Sequence, residues 1–108
     1  MTDGQALMAG KRGLIMGVAN DRSIAWGIAR AVAAQGAELA FTFQGEALER
    51  RVRPLAEQVG SDLVLSCDVT DDASLDATFA ALKDKWGSRA KRNIEAVERS
   101  YKDTLRAY

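Results

Sequence analysis

Gly17 is followed by a serine and then by small residues in the order Gly17-x5-Ser23-x-Ala25-x-Gly27. That order suits capture of a diphosphate. The first N–H groups of a helix lack partners inside it, and they point outward at the positive end of the helix dipole. Gly17 lets the chain turn sharply without a Cβ in the way. Ser23 is placed as an N-cap and adds a hydroxyl donor, the N–H groups exposed ahead of Ile24 face the anion, and Ala25 and Gly27 keep the helix face small. The spacing is not the common G-x-G-x-x-G fingerprint, so a capped helix that follows a strand and binds nothing stays open beside it.

Two further positions belong to the same chemistry. Gln44 ends the run Phe41-Thr42-Phe43. An acidic residue at that point of a dinucleotide fold takes the adenosine ribose hydroxyls. Gln44 is a neutral amide that both donates and accepts, and no arginine follows it directly to neutralise a 2′-phosphate, which favours NADH over NADPH. The bland role for Gln44 is that of a polar turn residue. Asp68 follows Leu63-Val64-Leu65-Ser66-Cys67 and falls beyond a strand's carboxyl end, where ligands of open α/β sheets gather. Its bland role is to cap the next helix, although Thr70 and Asp71 stand closer to that start.

The elements that must position these residues are legible from periodicity. Leu14–Val18 is short, apolar and non-alternating, as in a strand covered on both faces of a parallel sheet. Ile24, Ile28 and Val32, joined by Ala25, Ala29 and Ala33, make an apolar helical stripe that stops at Gly36. Ala37–Phe43 is the second strand. Leu48, Val52, Leu55 and Val59 mark one face of a second helix, which Pro54 is expected to kink or split near Arg53. Leu63–Cys67 is the third strand, and Leu75, Phe79, Leu82 and Trp86 mark a third helix that ends at Gly87. The order βαβαβα is the adenosine-binding half of a Rossmann fold, an α/β architecture with a three-stranded parallel sheet in the order 3-2-1.

Composition excludes several function classes. With 15 basic and 15 acidic residues among 108, the net charge is zero and nothing in it points to nucleic acid or to an anionic membrane. Arg50, Arg51 and Arg53 alternate with Glu46, Glu49 and Glu57, which describes a solvated helix face and not a nucleic-acid patch. There is no histidine, so the usual general base and the commonest metal ligand are missing. Cys67 is the single cysteine, which removes an internal disulfide and a Cys-pair zinc site and fits a reduced, cytoplasmic setting. Residues 1–10 read as a loose arm rather than a signal peptide, and no apolar run approaches membrane-spanning length.

The stretch from about Ala9 to Gly87 resembles the bacterial NADH-dependent enoyl-acyl-carrier-protein reductases, a divergent branch of the short-chain dehydrogenases. The resemblance is carried by GKRGLIMGVAND, RSIAWGIA, GAELAFTFQGEAL, RVRPLAE and LVLSCDVTDD. It implies NADH as cofactor, held by Gly17, Ser23, Ile24, Ala25 and Gln44, with the Asp68-Val69 pair at the adenine. It implies a hydride passed to the β-carbon of a trans-2-enoyl thioester on acyl carrier protein, in fatty acid biosynthesis. The family's Tyr-x6-Lys catalytic pair has no counterpart. The tyrosines are Tyr101 and Tyr108; Tyr108 stands where Tyr-x6-Lys would need its lysine, and Leu105 fills the lysine place of the ordinary Tyr-x3-Lys spacing. No catalytic residue is therefore assigned, and the 108-residue chain alone is expected to be inactive.

Beyond Gly87 the composition changes. Six basic residues (Arg89, Lys91, Arg92, Arg99, Lys102, Arg106) against Glu95, Glu98 and Asp103 give residues 88–108 a charge of +3, leaving −3 for residues 1–87. Ala90, Ile94, Val97, Tyr101, Leu105 and Tyr108 recur at helical spacing, so this unrelated-looking tail is expected to be an amphipathic helix in place of a fourth strand. The first strand would then be an apolar edge, open to pairing with a second copy or to partial cover by the tail. Two functions follow from the whole: the cofactor-binding part of a reductase whose catalytic half is missing from this chain, or a non-enzymatic nucleotide-binding or helix-mediated interaction module on a half Rossmann fold.

Overall fold

Three strands and four helices alternate along the chain: β1 (Arg12–Ile15), α1 (Ile24–Ala34), β2 (Glu38–Phe43), α2 (Glu46–Gln58), β3 (Leu63–Ser66), α3 (Asp72–Trp86) and α4 (Ser88–Arg106). The computed structural model describes residues 6–106, without the side chains of 88–90, 101 and 104–106. Expected roles for Ala90, Tyr101, Leu105 and Tyr108 in a helical stripe lie outside the described residues. The chain divides into two compact units, the first ending at Ser66 and the second beginning at Cys67.

In the first unit the sheet is parallel throughout, with β2 between β1 and β3. This is the expected 3-2-1 order. The register sets Arg12 beside Glu38 and Ile15 beside Phe41, and Arg12 Nε donates to Glu38 Oε1 across the strands at 3.2 Å. Observed strands are shorter than their apolar runs. β1 ends at Ile15, so Met16, Gly17 and Val18 belong to the loop, and β3 ends at Ser66, one residue before Cys67.

The core of this unit lies on one face of the sheet. Leu39 and Phe41 of β2 meet Trp26 and Ala29 of α1 and Val52, Leu55 and Ala56 of α2, with Val18 from the loop. Ala40 and Thr42, on the opposite face of β2, are buried as well. The expected stripe on α1 needs correction. Ile24 and Ile28 are 84% and 53% exposed, whereas Trp26 is buried. At about 100° per residue, Trp26 and Ala33 fall within about 20° of each other and Ile24 about 160° from Trp26. The helix turns its largest ring inward, and the two isoleucines go outward with it.

Two other expectations change. Pro54 lies inside α2 without splitting it. A proline there removes one hydrogen bond, to Arg50 C=O, and Arg50 is exposed to water that can replace it. Val52, Leu55 and Ala56 anchor the helix on both sides of the break. The N-terminal arm is not loose over residues 6–10: Met8 N–H donates to Gln35 C=O at 2.8 Å and Leu7 N–H to Gln35 Oε1 at 3.3 Å. Gly36 accepts this contact because its φ of +96° suits only glycine and a Cβ there would meet Ala6 Cβ at 3.1 Å.

In the second unit Leu75, Phe79, Leu82 and Trp86 form the buried face of α3, as the spacing predicts, joined by Thr78; in α4 Ile94 is buried, but Val97, expected on the same stripe, is 55% exposed. Charge joins the two helices. Lys83 Nζ reaches Glu98 at 3.3 Å and Glu95 at 3.7 Å, and Lys102 pairs with Asp76. The Lys102 ammonium holds the Asp76 carboxyl below the usual range, and Asp76 in turn raises Lys102. The lowered acid stabilises the folded unit at neutral pH and loses that effect as pH falls through it; the raised lysine loses it as pH rises through its own value. Protection of the α4 amides, taken relative to the unstructured exchange rate at each pH, is therefore expected to fall at both extremes, and equal protection at neutral and strongly acid pH would contradict the pairing. Among the described residues no helix is long and apolar enough to cross a membrane.

Candidate functional site

The loop between β1 and α1 is built around Ser23. Its Oγ accepts from Ala19 N–H at 2.9 Å and Asn20 N–H at 3.0 Å and donates to Asn20 C=O at 2.9 Å. Asn20 Oδ1 accepts from Arg22 N–H at 2.8 Å, which closes a turn over the intervening residue. Ser23 therefore occupies the N-cap position with extended backbone but makes no capping bond from its side chain. The hydroxyl proton expected as a donor points at Asn20 C=O, and the bonds of Ser23 tie the loop together. Asn20, which its type and position three residues before Ser23 could have marked as a turn former, is the other half of the clasp.

Gly17 carries φ +92°, a backbone region that other residues rarely adopt. A Cβ there would meet nothing within 4 Å, so conformation and not crowding requires the glycine. Gly17→Ala is expected to lower stability by about 1–2 kcal/mol, read from the thermal midpoint. No change would mean that the turn relaxes freely. At Gly27 a Cβ also meets nothing within 4 Å, so packing against the strand does not explain its small size.

Past this clasp, the N–H groups of Trp26 and Gly27 both donate to Ser23 C=O at 3.1 Å. Of the N–H groups ahead of Ile24 that were expected to face an anion, those of Ala19, Asn20, Arg22 and Ser23 are bonded within the loop, whereas those of Ile24 and Ala25 have no acceptor among the described residues. No acidic side chain stands in the first turn of α1, whereas α2 begins with Glu46 and Glu49 and α3 with Asp72 behind an Asp71 cap. α2 and α3 supply negative charge to their own amino ends; α1, like α4, has no acid in its first turn and leaves its positive end open to an anion from outside.

Gln44 is exposed at the carboxyl end of β2, next to Gly45, whose φ of +90° starts α2. Because β1 and β2 run parallel, the carboxyl end that leads into Gly17 and the one that bears Gln44 lie on the same edge of the sheet. Asp68 and Val69 belong to the second unit. There Asp68 Oδ1 accepts from Thr70 N–H at 2.9 Å and from Thr70 Oγ1 at 2.7 Å, and these bonds hold its carboxyl below the usual aspartate range. Its own N–H donates to Ser74 Oγ at 2.8 Å. The cap of α3 is Asp71, which accepts from Ala73 N–H, so capping is not the role of Asp68. Val69 follows in the same turn. Cys67 is buried and unbonded to another cysteine, and the described residues hold no cluster of His, Cys, Asp or Glu able to bind a metal.

Comparison with known proteins gives a consistent answer. The profile of the family described as Enoyl-(Acyl carrier protein) reductase matches residues 17–90. The chain is 68% identical over 81 residues to enoyl-[acyl-carrier-protein] reductase [NADH] 2 of Rhizobium meliloti, covering 75% of this chain and 30% of that protein. It is 54% identical over 105 residues to reductase [NADH] 1 of the same organism, covering 97% of this chain and 38% of the relative, so that likeness extends into α4. A crystal structure of the reductase from Anaplasma phagocytophilum in complex with NAD superimposes with a TM-score of 0.72 at 56% identity, over 76% of this chain and 31% of that one. The chain thus spans about a third of the length of the relatives it matches.

Proposed function

The chain belongs to the enoyl-(acyl carrier protein) reductase family, and we propose that it forms the adenosine-diphosphate part of an NADH site in an enzyme that reduces trans-2-enoyl thioesters of acyl carrier protein in fatty acid biosynthesis. One observation carries this: α1 keeps two unpartnered N–H groups and no acid at its amino end. Ile24 and Ala25 would bind the pyrophosphate through those N–H groups, with Gly17 and the Ser23–Asn20 clasp fixing the turn. Gln44 would take the adenosine ribose, and Asp68 with Val69 the adenine. NADH supplies the hydride when bound. No tyrosine in this sequence has a lysine at the family's catalytic spacing, so the chain by itself binds without turnover. A cytoplasmic setting goes with the single thiol of Cys67.

Calorimetry with NADH and with ADP tests the proposal. Binding of both, with the larger part of the affinity retained by ADP, is the expected result. Failure of both at millimolar concentration would leave a bare scaffold. ADP binding with no hydride transfer from NADH to crotonyl thioester is also expected of a non-enzymatic nucleotide-binding module, so recovery of turnover on adding the remainder of a relative is the arm that identifies the reductase part.

Among the described residues β1 pairs with β2 alone, and its other edge is open. We propose that two copies associate through that edge, since an unpaired apolar strand is a ready template. Size-exclusion chromatography is expected to show a concentration-dependent dimer with β1 amides protected only in the dimer. A monomer with protected β1 amides would contradict it.

A further inference from the structure

Phe43 closes β2 immediately before Gln44, and the guanidinium of Arg53 sits 5.9 Å from the centre of its ring. Arg53 Nε also donates to Glu49 Oε2 at 2.7 Å, one helical turn earlier, with the two side chains 50% and 33% exposed. An arginine beside the strand end that meets the adenosine ribose is the group a 2′-phosphate needs. Here that arginine is already paired.

We propose that Glu49 locks Arg53 over Phe43 and so sets the site's preference for a ribose without a 2′-phosphate. The inference rests on the assignment of Gln44 to the adenosine ribose. Glu four residues ahead of Arg is the favourable order on a helix, and the face of Phe43 fixes the guanidinium plane. A phosphate monoester carries nearly two negative charges at neutral pH. A phosphate that meets the remaining N–H groups of Arg53 must sit beside the Glu49 carboxylate that already holds Nε, with Glu46 also in that first turn. Glu49 is a positioning residue that acts through Arg53. Screening keeps each effect small, because the pair is part-exposed, but removing Glu49 frees a cation and deletes an anion together.

The test uses calorimetry of the full chain with ADP-ribose and with ADP-ribose bearing a 2′-phosphate. Glu49→Gln is expected to tighten the phosphorylated ligand about fivefold and to leave the plain one within about twofold. Glu49→Asp is expected to behave as the wild type, and Arg53→Gln added to Glu49→Gln to abolish the gain. An unchanged ratio in Glu49→Gln, an equal change for both ligands, or a gain that survives the loss of Arg53 would each overturn the proposal. Binding of neither ligand to the wild-type chain would overturn the site itself, which is a different failure from binding of the plain ligand with no shift in preference.

Discussion

Trp26→Ala is expected to destroy cooperative unfolding of the first unit. The indole is 3% exposed, its ring centre is 6.4 Å from that of Phe41 at 46°, and it joins α1 to the face of β2 that also receives α2. Removing a buried aromatic of this size costs about 3–5 kcal/mol. At about 0.05–0.15 kcal/mol per residue, a domain of this size has little more than that in total. Loss of the near-ultraviolet signal together with a broad, non-cooperative thermal transition is the expected result. Ile28→Ala is the control, because that side chain is 53% exposed and its loss should move stability by no more than about 0.5 kcal/mol. Equal effects of the two substitutions would mean that α1 is rotated from the orientation described above.

Ser23→Ala is expected to act on binding more than on folding. It removes two accepted hydrogen bonds and one donated bond from a single loop. Each is worth about 1 kcal/mol net, and the loop is partly open to water that can take the freed groups, so stability should fall by about 1–2 kcal/mol. Affinity for ADP should fall about tenfold, because the turn ahead of Ile24 is then no longer preorganised. Ser23→Thr keeps the hydroxyl and is expected to retain most of the affinity. Undiminished binding in Ser23→Ala would show that the clasp does not shape the site.

These two expectations divide along what could be inferred from residue types. Strand and helix order, the sheet order and the buried stripe of α3 were legible because apolar spacing reports which face of an element is covered. The covered face of α1 was not. Its apolar residues encircle the helix, and only the packing of Trp26 against Phe41 decides which of them turn inward. Gly17 and Gln44 could be placed because glycine conformation and strand ends are local properties. The partner of the Ser23 hydroxyl could not, since capping, phosphate contact and a bond back to Asn20 use the same atoms. That Pro54 does not split α2 has a related reason: the cost of one lost backbone bond is local, and the burial of Val52, Leu55 and Ala56 that outweighs it is not. Residues 6–10 have no periodicity to read, and their order comes from Gln35 at the end of α1.

The most direct test of the account is an amide NMR titration of the chain with ADP-ribose. The account predicts that the largest shifts fall on the N–H groups of Ile24 and Ala25, with further shifts at Gly17 and Gln44 and little change along the outward face of α2. Saturable binding that leaves Ile24 and Ala25 unmoved, or shifts gathered at the amino end of another helix, would contradict it.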